Sequence, residues 1–169
     1  MFSFLPKVIF REITDLMPEY FEQRGIRLLM LDFDNTLLPY TVNTPTQRLL
    51  DWIETFRESS VQLCIVSNSK KPRVRVFSKQ YGVDAIQGAK KPFSKGIKAC
   101  LKQYGIEKKH AALVGDQIYT DVLGANCAGV YSVLVKSIHN HTFWLKLRHV
   151  AEVPFIFMAK GRKYKYEKP

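Results

Sequence analysis

The feature that most narrows what this chain can become is a run of four apolar residues, Leu28-Leu29-Met30-Leu31, passing directly into Asp32-Phe33-Asp34-Asn35-Thr36. An unbroken apolar run of that length reads as a strand covered on both faces, as in a parallel sheet. Carboxylates at the end of such a strand must be paired or hold a cation once they are buried, because a buried unpaired charge is strongly destabilising. Asp-Asn-Thr is also ordinary turn chemistry. Taken alone, this stretch leaves both readings open.

A chain of 169 residues with 46% hydrophobic and 24% charged side chains fits one globular domain with a full core. Its charge is less ordinary. The 26 Lys+Arg outnumber the 15 Asp+Glu to give +11, which suits anionic partners such as phosphates, anionic lipid or nucleic acid, or simply a basic surface. Cys64, Cys100 and Cys127 are widely spaced within apolar runs and read as reduced core thiols, without zinc spacing. His110, His139, His141 and His149 show no ligand spacing. Pro6, Lys7, Arg11 and Glu12 interrupt the apolar start, and no stretch is long and uncharged enough to span a bilayer. The expectation is a cytoplasmic protein with, at most, peripheral contact at the inner membrane face.

Along the chain, Val8, Ile9, Ile13, Leu16 and Met17 between charges predict amphipathic helical turns from Lys7, cut at Pro18. Thr44-Pro45 predicts a helix start, with Leu49, Trp52, Ile53 and Phe56 on one face to Arg57. Strands are predicted at 61–66, 84–87, 111–114 and 131–135, with helices over 71–81 and 94–104 and another ending at Gly129. The alternation predicts a Rossmann-like α/β fold: three α/β/α layers around a mostly parallel five-stranded sheet, with no large cap domain. Residues 1–26 form a leader packing on the core, 27–136 the core, and 137–169 an extension that is first apolar and then basic. That extension is either a frayed terminus or a segment for membrane or partner docking.

In such a sheet the carboxyl ends of the strands share one edge. There the sequence places Asp32 and Asp34, Ser67 and Asn68, Asp116 with Asp121, and Lys91 in a basic loop. Carboxylates suit Mg²⁺, while a lysine, a hydroxyl and backbone N–H groups suit phosphoryl oxygens. In this order the segments 32–36, 67–68, 91–92 and 115–121 resemble the four motifs of the haloacid dehalogenase superfamily of phosphatases. The resemblance spans about residues 28–135. The short segments after the first and third strands resemble the capless subclass III. Gly115-Asp116-Gln117 and Phe4-Leu5-Pro6 resemble the YqeG-like branch, related to phosphatases of phosphatidylglycerophosphate.

The resemblance implies Asp32 as nucleophile through an aspartyl-phosphate and Asp34 as acid and base. It implies Mg²⁺ held by Asp32, the Asp34 carbonyl and Asp116, with Ser67, the Asn68 N–H and Lys91 on the phosphoryl group. Asp121 would orient Lys91 or a metal-bound water, and Lys90 is the rival of Lys91. Asn35 and Thr36 are expected to shape the turn. The expected substrate is phosphatidylglycerophosphate at a membrane surface, or alternatively a soluble phosphate ester, with a homo-oligomer supplying a lid. A basic nucleic-acid or ribosome-associated protein is the other alternative, although no stacking-aromatic or helix-turn-helix motif supports it.

Overall fold

A computed structural model describes residues 3–138; the expectations for the C-terminal extension beyond them lie outside the described residues. Six strands, β1 Val8–Phe10, β2 Leu28–Leu31, β3 Gln62–Val66, β4 Asp84–Ile86, β5 Ala111–Gly115 and β6 Tyr131–Val135, form one sheet in the order β1-β6-β5-β2-β3-β4. Every neighbouring pair is parallel.

The continuous apolar character of β2 follows from this arrangement. Leu29 and Leu31 enter a core built with Trp52 and Phe56 of α2 (Gln47–Arg57), Phe77 of α3 (Pro72–Tyr81), and Leu16 and Phe21 of the leader. Leu28 and Met30 face the other way, toward Ile97 and Cys100 of α4 (Lys95–Tyr104) and Ala125 of α5 (Leu123–Ala128). Two covered faces leave no position along β2 for a polar residue until the strand ends.

The leader departs from the predicted helical turns. Val8–Phe10 is instead a sixth strand, pairing parallel with Val133–Val135. Without it β6 would expose an unpaired edge, and the β-branched Val8 and Ile9 suit the pleat. Helical structure comes only later, as a 3₁₀ turn over Ile13–Asp15 and the short α1, Pro18–Glu22. The start of α2 is also displaced, because Thr46 caps it by accepting the Leu49 N–H. Among the described residues, no helix is long and apolar enough to cross a membrane.

Candidate functional site

All six carboxyl ends lie along one edge, with β2 between β3 and β5. Asp32 extends the ladder by one bond, its N–H donating to the Val114 carbonyl at 2.8 Å. It is therefore fixed by the sheet rather than by a loop.

Lys91 reaches this strand end from the loop before α4. Its ammonium lies 2.6 Å from Asp32 Oδ1 and 2.8 Å from Asp121 Oδ1, and it is almost fully buried. Asn68 determines which lysine takes the position. Its side-chain oxygen accepts the Lys91 N–H at 2.6 Å, and its Nδ2 donates to the Lys91 carbonyl at 2.9 Å. Lys90 is exposed at a φ of 57°. The geometry brings Lys91, and not its neighbour, to the acids.

Asp121 comes from a π-type turn, Ile118–Val122, between β5 and α5. The wider turn folds its carboxylate back beside Gly115, where an added Cβ would stand 2.3 Å from it. Asp116 follows Gly115 directly, and its Oδ1 accepts the Thr36 hydroxyl at 3.3 Å. Thr36 thus joins the turn after β2 to the end of β5. Asn35 holds that turn with a left-handed φ of 63° and accepts the Tyr40 N–H on its side chain.

Carboxylate oxygens of Asp32, Asp116 and Asp121 all lie within 4.8 Å of one another. Lys91 compensates part of that charge, and among the described residues no cation pairs with Asp116. Burial, together with the charges of Asp121 and Asp32, pushes Asp116 up to about 8. Burial raises Asp32 to about 6 although Lys91 opposes it. For Lys91, the two carboxylates outweigh burial and hold its pKa above the ordinary lysine range. An all-oxygen cluster short of positive charge is what a hard divalent cation fits.

The Asp34 carboxylate stands outside this cluster. It is half-buried and 3.0 Å from the Arg73 guanidinium, a residue that motif spacing does not single out. Burial raises its pKa, opposed by Arg73, Lys71 and Lys91. Ser67 is buried at the end of β3, and its Oγ accepts the Ser69 N–H at 3.0 Å, leaving its own O–H as a donor.

The crowded charge has a measurable consequence. A carboxyl whose folded pKa exceeds its unfolded value favours folding below the unfolded pKa and loses that contribution as pH rises through the folded one. For Asp116 this window runs from 3.8 to about 8. Asp116→Asn should therefore raise the melting temperature of the cation-free protein at pH 8, by about 4–8 °C for ~2 kcal/mol, with little change near pH 4. Added Mg²⁺ should stabilise the wild type far more than the variant. Scanning calorimetry in EDTA and in Mg²⁺ checks both, and equal melting temperatures at pH 8 would contradict the charge argument.

Comparison with known proteins adds to this geometry. The model of a family described as Mitochondrial PGP phosphatase matches residues 2–138. "Probable phosphatase YqeG" of Bacillus subtilis (strain 168) is 34% identical over 132 residues, covering 78% of this chain and 77% of that protein. Among solved structures, the cobalt-bound deoxy-D-mannose-octulosonate 8-phosphate phosphatase (YrbI) of Haemophilus influenzae superposes with a TM-score of 0.55 at 19% identity, covering 82% of this chain and 91% of that one. A structure described as a putative subfamily III A hydrolase of the HAD superfamily from Legionella pneumophila gives 0.50 at 13% identity, covering 86% and 95%. At those identities the structural matches speak for the fold.

Proposed function

The chain belongs to the Mitochondrial PGP phosphatase family and is a capless phosphatase of the haloacid dehalogenase superfamily, and on that premise we propose that it hydrolyses a lipid phosphomonoester, with phosphatidylglycerophosphate the leading substrate, through an aspartyl-phosphate on Asp32. The observation that carries the chemistry is the convergence of Asp32, Asp116, Asp121 and Lys91 at one strand edge.

Asp32 is the nucleophile, anchored by the ladder and beside Lys91. Asp34 gives a proton to the leaving oxygen, then takes one from the water that opens the acyl phosphate. Lys91, held by Asp121 and Asn68, faces the charge of the phosphoryl group. The Ser67 hydroxyl and the Asn68 N–H bind its oxygens. Asp32 and Asp116, with the Asp34 backbone carbonyl, would hold Mg²⁺. When bound, that ion supplies the positive charge that lets an anionic carboxylate approach an anionic phosphate.

The surroundings of the edge support a lipid headgroup. Lys70, Lys71, Lys90, Lys95 and Lys136 are exposed in its loops and first helical turns, which carry no exposed acid over residues 35–46, 67–73, 87–95, 115–120 and 136–138. Phe93 is 73% exposed and Tyr40 51%, flanking the same edge. Cations beside exposed aromatic groups suit an anionic bilayer surface.

The test is phosphate release from phosphatidylglycerophosphate in anionic and neutral vesicles, beside sugar phosphates in solution, with Mg²⁺ or EDTA. Turnover should need the metal and prefer the lipid in anionic vesicles. Phe93→Ser should weaken vesicle turnover by about 10-fold, from loss of apolar burial, while sparing soluble aryl phosphates. Preference for a sugar phosphate, with Phe93→Ser silent, would overturn the lipid assignment and leave the phosphatase chemistry standing.

A further inference from the structure

Arg73 occupies the first turn of α3, just after Pro72. A cation there opposes the positive end of the helix dipole. Its side chain is only 10% exposed, and its sole carboxylate partner among the described residues is Asp34, with NH1 donating to Oδ1 at 3.0 Å. The same guanidinium donates to the backbone carbonyls of Pro39 at 2.9 Å, Tyr40 and Val42. Its carbon lies 5.1 Å from the centre of the Phe33 ring. An unfavourable helix position and a costly burial are both tolerated for one grip on an acid and on the loop that continues from it. Local conflicts of this kind concentrate at functional sites.

We propose that Arg73 is the positioning residue for proton transfer by Asp34, a proposal that rests on the acid–base reading of that carboxylate given above. Asp34 has left the sheet, so nothing in the β2 ladder fixes its side chain. Arg73 takes Oδ1 and leaves Oδ2 to face the ester oxygen. In the first step the Asp34 O–H proton passes to that oxygen as its bond to phosphorus breaks and the Asp32–phosphorus bond forms. In the second, Asp34 takes a proton from the water whose oxygen bonds to phosphorus, as the Asp32–phosphorus bond breaks. The carbonyl contacts need the planar fork of a guanidinium, so lysine would keep the charge and lose the alignment.

Loss of a proton donor matters most when the leaving group is a strong base. Benzyl phosphate and p-nitrophenyl phosphate are similar in size, but the benzyl alkoxide is by far the stronger base. The experiment measures kcat/KM on both substrates in Mg²⁺ for the wild type, Arg73→Met, Arg73→Lys and Asp34→Asn. Taking the ratio of the two substrates on one sample cancels any difference in folded fraction.

Arg73→Met should lower benzyl phosphate turnover by about 10²-fold and p-nitrophenyl phosphate turnover by less than about 5-fold, with Arg73→Lys intermediate and Asp34→Asn skewed the same way or more. If Arg73→Met lowers both substrates equally while Asp34→Asn skews them, Arg73 only staples the loop, and this proposal alone is overturned. If Asp34→Asn leaves the ratio unchanged, the acid–base reading of Asp34 fails and takes the proposal with it.

Discussion

Asp32→Asn should abolish phosphate release, with a loss of at least about 10⁴-fold in kcat, while the protein stays folded. The fold is expected to survive because the backbone N–H of residue 32, not its side chain, makes the bond to Val114. Burial disfavours the ionised Asp32 carboxylate and raises its pKa to about 6, so an uncharged isostere removes that desolvation cost. Lys91 would keep Asp121 as its charged partner and an amide oxygen at position 32. Activity lost without stability lost is therefore the signature of a residue that acts in the chemistry, as nucleophile or metal ligand, and it differs from that of a residue holding the core together. Far-ultraviolet circular dichroism, thermal melting and phosphate release on the same sample give the answer. Residual turnover above about 1% of wild type in a folded variant would rule out Asp32 as the attacking group.

Gly115→Ala should be the most damaging single methyl in the site. The new Cβ would meet the Asp121 carboxylate at 2.3 Å. That carboxylate is nearly inaccessible, is paired with Lys91 and accepts the Gln117 N–H at 3.1 Å. Moving it opens a buried ion pair, which costs about 3–5 kcal/mol, and overpacking adds about 1–3. A drop of roughly 8–16 °C in melting temperature for ~4 kcal/mol, together with loss of activity, is the expected result. A double-mutant cycle isolates the cause. In an Asp121→Gly background the carboxylate and the Cβ that the new methyl would meet are both gone, and Gly115→Ala should cost at least about 2 kcal/mol less there than in the wild type. Equal costs in both backgrounds would mean that the damage comes from elsewhere around β5.

Gly115 also shows where the sequence stops being informative. Gly115-Asp116-Gln117 is recognisable as a string, but the glycine's purpose depends on the wide turn at 118–122 that swings Asp121 back over it. No spacing rule anticipates that turn. Asn68 is similar: its position at a strand end was legible, whereas its side-chain hold on both backbone groups of Lys91 was not. The leader was misleading for another reason. The pattern Val8, Ile9, Ile13, Leu16 satisfies a helical period, and the open edge of β6 that draws Val8–Phe10 into the sheet is created more than a hundred residues later. For Arg73 the clue was present in the chain, a cation in the first turn of a helix, but its meaning needed the acid it meets.

The sequence by itself determined the layered α/β architecture and the sheet edge that gathers the acids, because both follow from short-range patterns: apolar runs that must be buried and polar groups placed where the runs end. Only the tertiary structure decided which lysine enters the site, which carboxylate stands apart with Arg73, and that a sixth strand closes the edge. Those choices are made by contacts between segments far apart in the chain, where distance and burial, not neighbouring residues, set the energy of each charge.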